Sequence, residues 1–373
     1  MRVLINLSTL KKGGGQNVAL NFLSSLNTIK FKEIEFYFFV AEGSGCHQYL
    51  LDKNNKNFKV LSGNPLKRIF FELFRSKSIL FKEKIDIIYT YFGIGVFTKK
   101  IPQVCGSADS NLYFPEINFW SHYKGFNKFK KRIVDLYRIW GLKRANAIIF
   151  ENKVMKERSR KLFNINHTKF IMPSISFESE NINLRSLVKN KPKGLFLCGW
   201  QLNKNIMMIP EIAYHLKKLD INFEFVITAP IDNSPEHIKF IEKVKSHNVE
   251  NYINLIGTVD KHDLPSLYKS IDFVFLLSKL ESFSNNIIES WYYKRLLIIS
   301  DEIWARSICK ESAIYVQRND SEVIANKIKE ILKNIKLENL IIDRASRTLL
   351  NYPSINERTI SEINYLKQIY ELS

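Results

Sequence analysis

The sequence predicts an α/β protein made of two doubly wound, Rossmann-like domains, and three observations carry that expectation. The chain has 373 residues, about twice a usual single domain. Its opening residues, "RVLINLS", read as a buried strand, followed by the glycine loop "TLKKGGGQ" and the helical pattern "NVALNFLSSLN". Strand, glycine turn and helix together form the first unit of an open α/β sheet. The same alternation restarts at residue 194, after a stretch without periodicity. Two such domains would leave a cleft at the carboxyl ends of their strands, where ligands bind in these folds.

The elements follow in order. In the first half the strands are expected at "IEFYFFVA", "FKVL", "IDIIYTY", "QVCG" and "ANAIIF", with helices at 66–82 and 126–144. That domain is expected to span 1–176. "ESENINLRSLVKNKPK" lacks periodicity and ends in a Lys/Pro cluster, so the linker is placed at 177–193. The second domain, 194–351, reads "GLFLCGW", helix 206–219, "FEFVITA", helix 235–247, "INLIG", helix 261–270, "DFVFLL", helix 285–294, "LLIISD" and helix 321–335. The segment 352–373 reads as a terminal helix. No internal repeat or low-complexity tract competes with this organisation.

Hydrophobic residues make up 45% of the chain and aromatics 13%, with only 14 Gly and 10 Pro, which excludes a mainly disordered protein. Four cysteines, Cys46, Cys105, Cys198 and Cys309, lie too far apart for a CxxC pair or a zinc site, so a reducing, cytoplasmic setting is expected. The apolar run at the N-terminus is too short for a signal peptide, and no stretch offers 18 uncharged apolar residues. The net charge of +19 is uneven: residues 1–190 hold 32 Lys/Arg against 14 Asp/Glu, and residues 191–373 hold 24 against 23. Such a field favours an anionic partner, whether nucleic acid, anionic lipid or a phosphorylated substrate.

The stretch "ESFSNNIIES", 281–290, holds two carboxylates seven residues apart. Glu281 follows the strand "DFVFLL" through the short connection "SKL", and Ser284 sits where an N-cap would begin the next helix. Glu289 then falls one to two turns inside that helix. A helix N-terminus favours a diphosphate, and a carboxylate further along can accept hydrogen bonds from vicinal ribose hydroxyls. The arrangement suits a sugar nucleotide.

These residues resemble the E-x7-E pattern of the retaining glycosyltransferases of family 4, usually EGF[GSP]NxLLEA, with matches at Glu281, Phe283, Ser284, Asn285 and Glu289. "GWQLNKN" is similar to the family's G-x-x-x-x-K-N segment, "FIMPSI" to its entry into the linker, and "KKGGGQNVALNFL" to its first-domain glycine loop. Order and spacing across the whole chain, rather than any one piece, carry the resemblance. It implies a GT-B fold whose terminal helix returns to the first domain, and transfer of a sugar from a nucleotide donor with retention. No cofactor or metal is implied beyond the nucleotide-sugar co-substrate.

By the same resemblance, Lys204 would neutralise the leaving diphosphate, aided by the dipole of the helix from residue 285. Glu289 would hold the ribose, and Glu281 the transferred sugar. Gly199, Phe283, Ser284 and Asn285 would shape the donor loop, and Gly13, Gly14 and Gly15 would let the first-domain loop approach donor and acceptor. The implied acceptor is a lipid-linked saccharide, in bacterial O-antigen, capsule or lipopolysaccharide synthesis.

Some positions depart from the family. Trp200 and Gln201 stand where an Arg often precedes the lysine, and Lys294 and Leu296 replace a usual Gly and Pro. The first-domain region "VCGSADSNLYFPE" offers Asp109 in place of a histidine; His122 lies further on. The basic stretches 66–84 and 125–144 interleave cations with aromatics, either as helices packed on the sheet with solvated lysines or as a surface for an anionic membrane. Three alternatives remain: a non-hydrolysing sugar-nucleotide epimerase, a basic nucleic-acid-binding protein, and a glycoside hydrolase using Glu281 and Glu289. The missing nucleic-acid motif and the donor pattern weigh against the second, so no nucleic acid is expected.

Overall fold

Parallel strands of almost unbroken hydrophobic residues must be covered on both faces, and this chain builds two sheets of that kind. The computed structural model describes residues 1–175 and 190–373. The first sheet contains β1 (Arg2–Leu7), β2 (Glu35–Ala41), β3 (Phe58–Leu61), β4 (Ile87–Thr90), β5 (Gln103–Ser107), β6 (Ala147–Phe150) and β7 (Thr168–Phe170), in the spatial order β3-β2-β1-β4-β5-β6-β7. The second contains β8 (Lys193–Phe196), β9 (Glu224–Ile227), β10 (Ile253–Leu255), β11 (Phe273–Leu276), β12 (Leu296–Ser300) and β13 (Ile314–Val316), in the order β10-β9-β8-β11-β12-β13. All strand pairs within both sheets are parallel. Each sheet reverses direction beside its first strand, so each is a Rossmann-like sheet with a switch point, at β1/β4 and at β8/β11.

The chain divides into two units, Met1–Phe177 with Tyr352–Ser373, and Glu178–Asn351. Of the expected linker, 177–189 lies outside the described residues. In the first unit Val3, Ile5 and Leu7 of β1 pack with Phe22 and Leu23 of the helix Gly14–Ile29 on one face, while Leu4, Phe39 and Ile88 meet Leu80 on the other. In the second unit Phe196, Phe225 and Phe275 interlock across β8, β9 and β11, with ring centroids 5.2 and 5.5 Å apart around Phe275. That packing explains Gly194: a Cβ there would run into the Phe275 ring and approach Phe223 to 2.9 Å.

Several elements differ from the sequence reading. Strands β7 and β13, which like β10 span three residues each, too few for an alternation to show, were not expected. Helices Gly45–Asp52, Lys153–Phe163, Ile303–Cys309 and Ile335–Leu349 were also not expected. The helix expected at 66–82 is present as Pro65–Phe70 and Ser76–Lys82, joined without interruption by a π turn at Phe71–Arg75; the Ser76 hydroxyl donates to the Glu72 carbonyl, 2.6 Å away. Among the described residues no helix is long and apolar enough to cross a membrane.

The terminal helix Ile355–Glu371 belongs to the first unit and starts with a capping box between Ser354 and Glu357. Its Ile363 and Leu366 enter the first unit's core, and its Arg358 is buried between Glu151, at 2.8 Å, and Glu362, at 3.0 Å. The Tyr91 hydroxyl also donates to Glu362, at 3.4 Å. The buried guanidinium therefore ties the end of β6 to the terminal helix. Arg358→Ala leaves two buried carboxylates without their cation and is expected to cost about 3–5 kcal/mol of stability, read as a lowered urea midpoint; a loss below about 1 kcal/mol would contradict this account.

Candidate active site

The switch point of the second sheet opens between the loop leaving β8 and the loop leaving β11, and both predicted charged residues on those loops sit there. After β8 the backbone runs through Cys198 and Gly199 into the short 3-10 turn Leu202–Lys204, which ends at Asn205 in the left-handed conformation, φ 62°. After β11 it runs through Ser278 and Lys279 to Glu281. Backbone and side-chain bonds pin the two loops together. The Lys279 N–H donates to the Asn203 carbonyl at 2.7 Å, and the Asn205 amide donates to the Arg318 carbonyl at 2.6 Å. Across this frame Lys204 Nζ donates to Glu281 Oε1 at 2.5 Å, both side chains keeping partial exposure.

Ser284 is the N-cap of the helix Asn285–Tyr292, but its hydroxyl makes no capping bond, so the helix start keeps amide donors that the side chain does not take. Ser284 is buried, Asn285 exposed and Phe283 intermediate. The helix is held by its apolar face, with Ile287, Ile288 and Trp291 buried, and the Asn286 amide donates to the Leu197 carbonyl, 3.2 Å away. Lys294 follows in the left-handed region, φ 53°, a conformation that favours glycine and explains why a Gly is usual there.

Glu289 is positioned by a residue the sequence reading missed. The Tyr268 hydroxyl donates to Glu289 Oε2 at 2.6 Å. Tyr268 is itself fixed, its ring stacked on Tyr293 at 5.1 Å and its carbonyl accepting from Arg295 Nε at 2.8 Å. Burial raises the Glu289 carboxyl above its ordinary range, while the Tyr268 hydroxyl and Lys261 act the other way.

Two further cations escaped the sequence reading. Burial, together with the neighbouring Arg318, lowers the Lys279 ammonium, and Glu302 opposes that shift. Arg318 pairs with Glu302 at 3.5 Å. These residues enter from the ends of β11, β12 and β13, which brings Lys279 and Arg318 beside the loop that carries Lys204. Their only sequence signal is position directly after a strand. Gly199 donates its N–H to the side chain of Gln201 at 3.1 Å, and burial pushes the nearby Cys198 thiol up to about 12, so it is no nucleophile. Among the described residues one cluster could share a metal ion, the exposed Asp260, His262 and Asp263, and it includes neither Glu281 nor Glu289.

The first unit has its own switch point. There the Thr9 hydroxyl donates to the Phe92 carbonyl at 2.9 Å, joining the loops after β1 and β4. Gly13, with φ 80°, is the N-cap of the helix Gly14–Ile29, and a Cβ on Gly13 or Gly14 would meet open space. Gly15 is tighter, with Leu10 3.3 Å from such a Cβ. Asp109 follows the carboxyl end of β5 and is ion-paired with Arg138 at 3.4 Å, a residue that also holds Asp135. Burial raises its carboxyl, and Arg138 opposes the rise. His122 is exposed and its ring lies 4.4 Å from that of Tyr123.

Because burial penalises the charged form of Glu289, ionisation costs folding stability as pH rises from the unfolded carboxyl range through the higher folded pKa. Glu289→Gln is therefore expected to raise the unfolding midpoint at neutral pH. The gain should narrow as pH falls toward the ordinary carboxyl range; an unchanged or lower midpoint at neutral pH would contradict the sign.

Residues 177–348 match the sequence model of the family described as "Glycosyl transferases group 1". No curated protein matches the sequence significantly. Among solved structures, a glycosyltransferase from Rickettsia africae ESF-5 superposes with a TM-score of 0.74 at 18% identity, over 100% of this chain and 99% of that one. Sucrose-phosphate synthase from Thermosynechococcus elongatus gives 0.75 at 12% identity, over 100% of both. HepE from Anabaena, crystallised with UDP and glucose, gives 0.70 at 13%, over 99% of this chain and 100% of that one. At these identities the structural likeness carries the fold, which is that of the GT-B glycosyltransferases. With the family match over the second unit, the chain is a glycosyltransferase, an enzyme that transfers sugar residues.

Proposed function

We propose that the protein is a retaining glycosyltransferase that takes a sugar from a nucleotide-sugar donor and adds it to a saccharide acceptor. The observation that carries this reading is the Lys204–Glu281 pair at the β8/β11 switch point, one short turn before a helix start whose N-cap side chain takes none of its amides. A diphosphate placed there meets the helix dipole and Lys204, with Lys279 and Arg318 adding charge where the preceding segment has Trp200 and Gln201. Glu289, held by Tyr268, accepts from the ribose hydroxyls. Glu281, released from Lys204 when the diphosphate takes that cation, accepts from the transferred sugar's hydroxyls. Gly199, Phe283, Ser284 and Asn285 line the donor loop of the second unit; in the first unit, the Gly14–Gly15 helix start and Asp109 are the residues proposed to act.

Transfer then proceeds on one face of the sugar. The bond from the anomeric carbon to the donor phosphate oxygen breaks, an oxocarbenium-like sugar is held, and the acceptor oxygen bonds to the same face. The acceptor's proton passes to the departing phosphate oxygen, so no side-chain base is required. The cations supply the charge stabilisation that a metal would otherwise give. HepE was crystallised with UDP-glucose, which favours testing uridine donors first. The acceptor we favour is lipid-linked, in bacterial surface-polysaccharide synthesis of the O-antigen or capsule type, with the enzyme peripheral on the cytoplasmic face of the membrane.

The direct test is a thermal-shift screen of UDP-, GDP- and ADP-sugars without added metal, on wild type and Glu289→Ala. One nucleotide class should stabilise the wild type and fail to stabilise the variant; equal stabilisation of both would remove Glu289 from the site. Once a donor is known, Lys204→Ala and Glu281→Gln should each lower kcat by about 10²–10³-fold with the fold intact. The product should keep the donor's anomeric configuration by NMR, and an inverted product would refute the mechanism.

A further inference from the structure

The first unit contains a cavity of about 810 Å3 that no step of glycosyl transfer uses. Its walls come from Ile85 and Asp86 before β4, Ile101 before β5 and Arg144 before β6, so it lies at the amino ends of the strands. Ligands of doubly wound sheets bind at the opposite, carboxyl ends, where Gly14, Gly15 and Asp109 are found. The cavity combines two chemistries. Leu80, Phe81, Ile85, Phe97 and Ile101 form apolar walls, while Lys77, Lys84, Lys99, Lys100 and Arg144 surround them. The one lining acid, Asp86, already accepts from the Arg2 N–H at 2.7 Å. The Arg144 guanidinium lies over the Trp140 and Phe97 rings, at 4.6 and 5.3 Å from their centroids.

The surface beside it has the same composition. The helix Gly125–Lys143 buries only Gly141 and Leu142 over 19 residues. It leaves Phe126 69%, Phe129 58%, Leu136 66% and Trp140 45% exposed, interleaved with Lys128, Lys130, Lys131 and Arg132. Phe74 and Phe81, on the neighbouring helical segments, are 68% and 88% exposed. Lys77, Leu80 and Phe81 of those segments line the same cavity as Phe97 and Arg144, and the Phe97 ring lies against Tyr137 and Trp140 of the long helix, so the helical segments are neighbours. A second cavity of about 550 Å3 flanks the same segment, with Lys59, Lys67 and Arg75 beside Val60 and Phe71 and no acid in its lining.

We infer that this face docks on an anionic phospholipid membrane, with the cavity at the amino ends of β4, β5 and β6 taking one lipid, its phosphate against the lysines and its chain against the apolar wall. Charge complementarity selects that occupant. A free phosphate or nucleotide would leave the apolar wall and the exposed phenylalanines unused, and a neutral membrane would leave the cations unpaired. The inference rests on the reading of a transferase working at a membrane and adds to it the face and the lipid class.

The test is flotation of the full chain on vesicles of phosphatidylcholine alone and with added phosphatidylglycerol, at moderate salt. The variants are the exposed Lys84→Glu/Lys99→Glu/Lys100→Glu and Phe126→Ser/Phe129→Ser. Wild type should float only with the anionic vesicles, and the lysine variant should lose about a hundredfold or more in partition while keeping its unfolding midpoint. The phenylalanine variant should also weaken, with its midpoint retained. Equal flotation of wild type and lysine variant, no flotation, or equal flotation on neutral vesicles would overturn the inference. So would displacement by soluble glycerol phosphate at matched phosphate concentration, which marks a simple anion site, or lysine-dependent binding of an oligonucleotide without vesicle binding. Donor stabilisation that depends on Glu289 is read in parallel, so that a failure of lipid docking is told apart from a failure of the transferase reading.

Discussion

The order of parallel strands is the constraint on which the rest of the second unit depends. Parallel neighbours cannot be joined by hairpins, so the chain must cross over, and it does so in opposite senses on the two sides of β8. The loops leaving β8 and β11 therefore part at one place, and no helix covers the gap there for topological reasons. Lys204 and Glu281 are 77 residues apart in sequence and meet only because those two strands are hydrogen-bonded neighbours. Gly194 keeps that neighbour relation possible, since β8 lies directly against the Phe275 ring of β11.

An ion pair waiting at such a place is a compromise. Lys204 without a partner would face a partly desolvated pocket, and so would Glu281; paired, each shields the other. On the proposed function, a bound diphosphate would compete for the lysine and free the carboxylate, linking occupation of the phosphate position to preparation of the sugar position. Glu289 is the opposite case, since its environment penalises the charge that the proposed ribose contact would need, and Tyr268 only partly offsets that penalty. Stability is given up at one position for function, as is usual at sites of this kind.

How much of this was legible in the sequence depends on the distance over which each feature is encoded. The central strands announce themselves by unbroken hydrophobic runs, and "ESFSNNIIES" encodes locally a strand end, a turn and a helix start, so Glu281, Ser284 and Glu289 could be placed on their elements before any coordinates. β7 and β13 are three-residue edge strands whose pairing is set by a neighbour, not by their own pattern. Tyr268, Lys279 and Arg318 were not legible because their roles exist only across element boundaries: a tyrosine near the end of one helix reaching a glutamate on another, and two cations brought together by the ends of β11 and β13. Asn334, which caps Ile335–Leu349 by accepting from the Leu337 N–H at 3.1 Å, was readable as a cap and was obscured by the preceding helix.

The basic half of the chain poses a different physical question, because its charge is not needed for the fold. A helix of 19 residues that buries two of them gains little from packing, and aromatic side chains left in water beside lysines forgo the burial that would stabilise them. If Gly125–Lys143 were an ordinary amphipathic cover for the sheet, Phe126, Phe129 and Leu136 would lie on its buried face; they are instead among its most exposed. The lysines fall on the same exposed helix, so the charge cannot be explained as the solvated back of a packed element. A surface that is cationic and apolar at once is stable only where both parts find their medium together. The boundary of an anionic lipid layer is such a place, and a transferase whose acceptor is carried in lipid would have use for it.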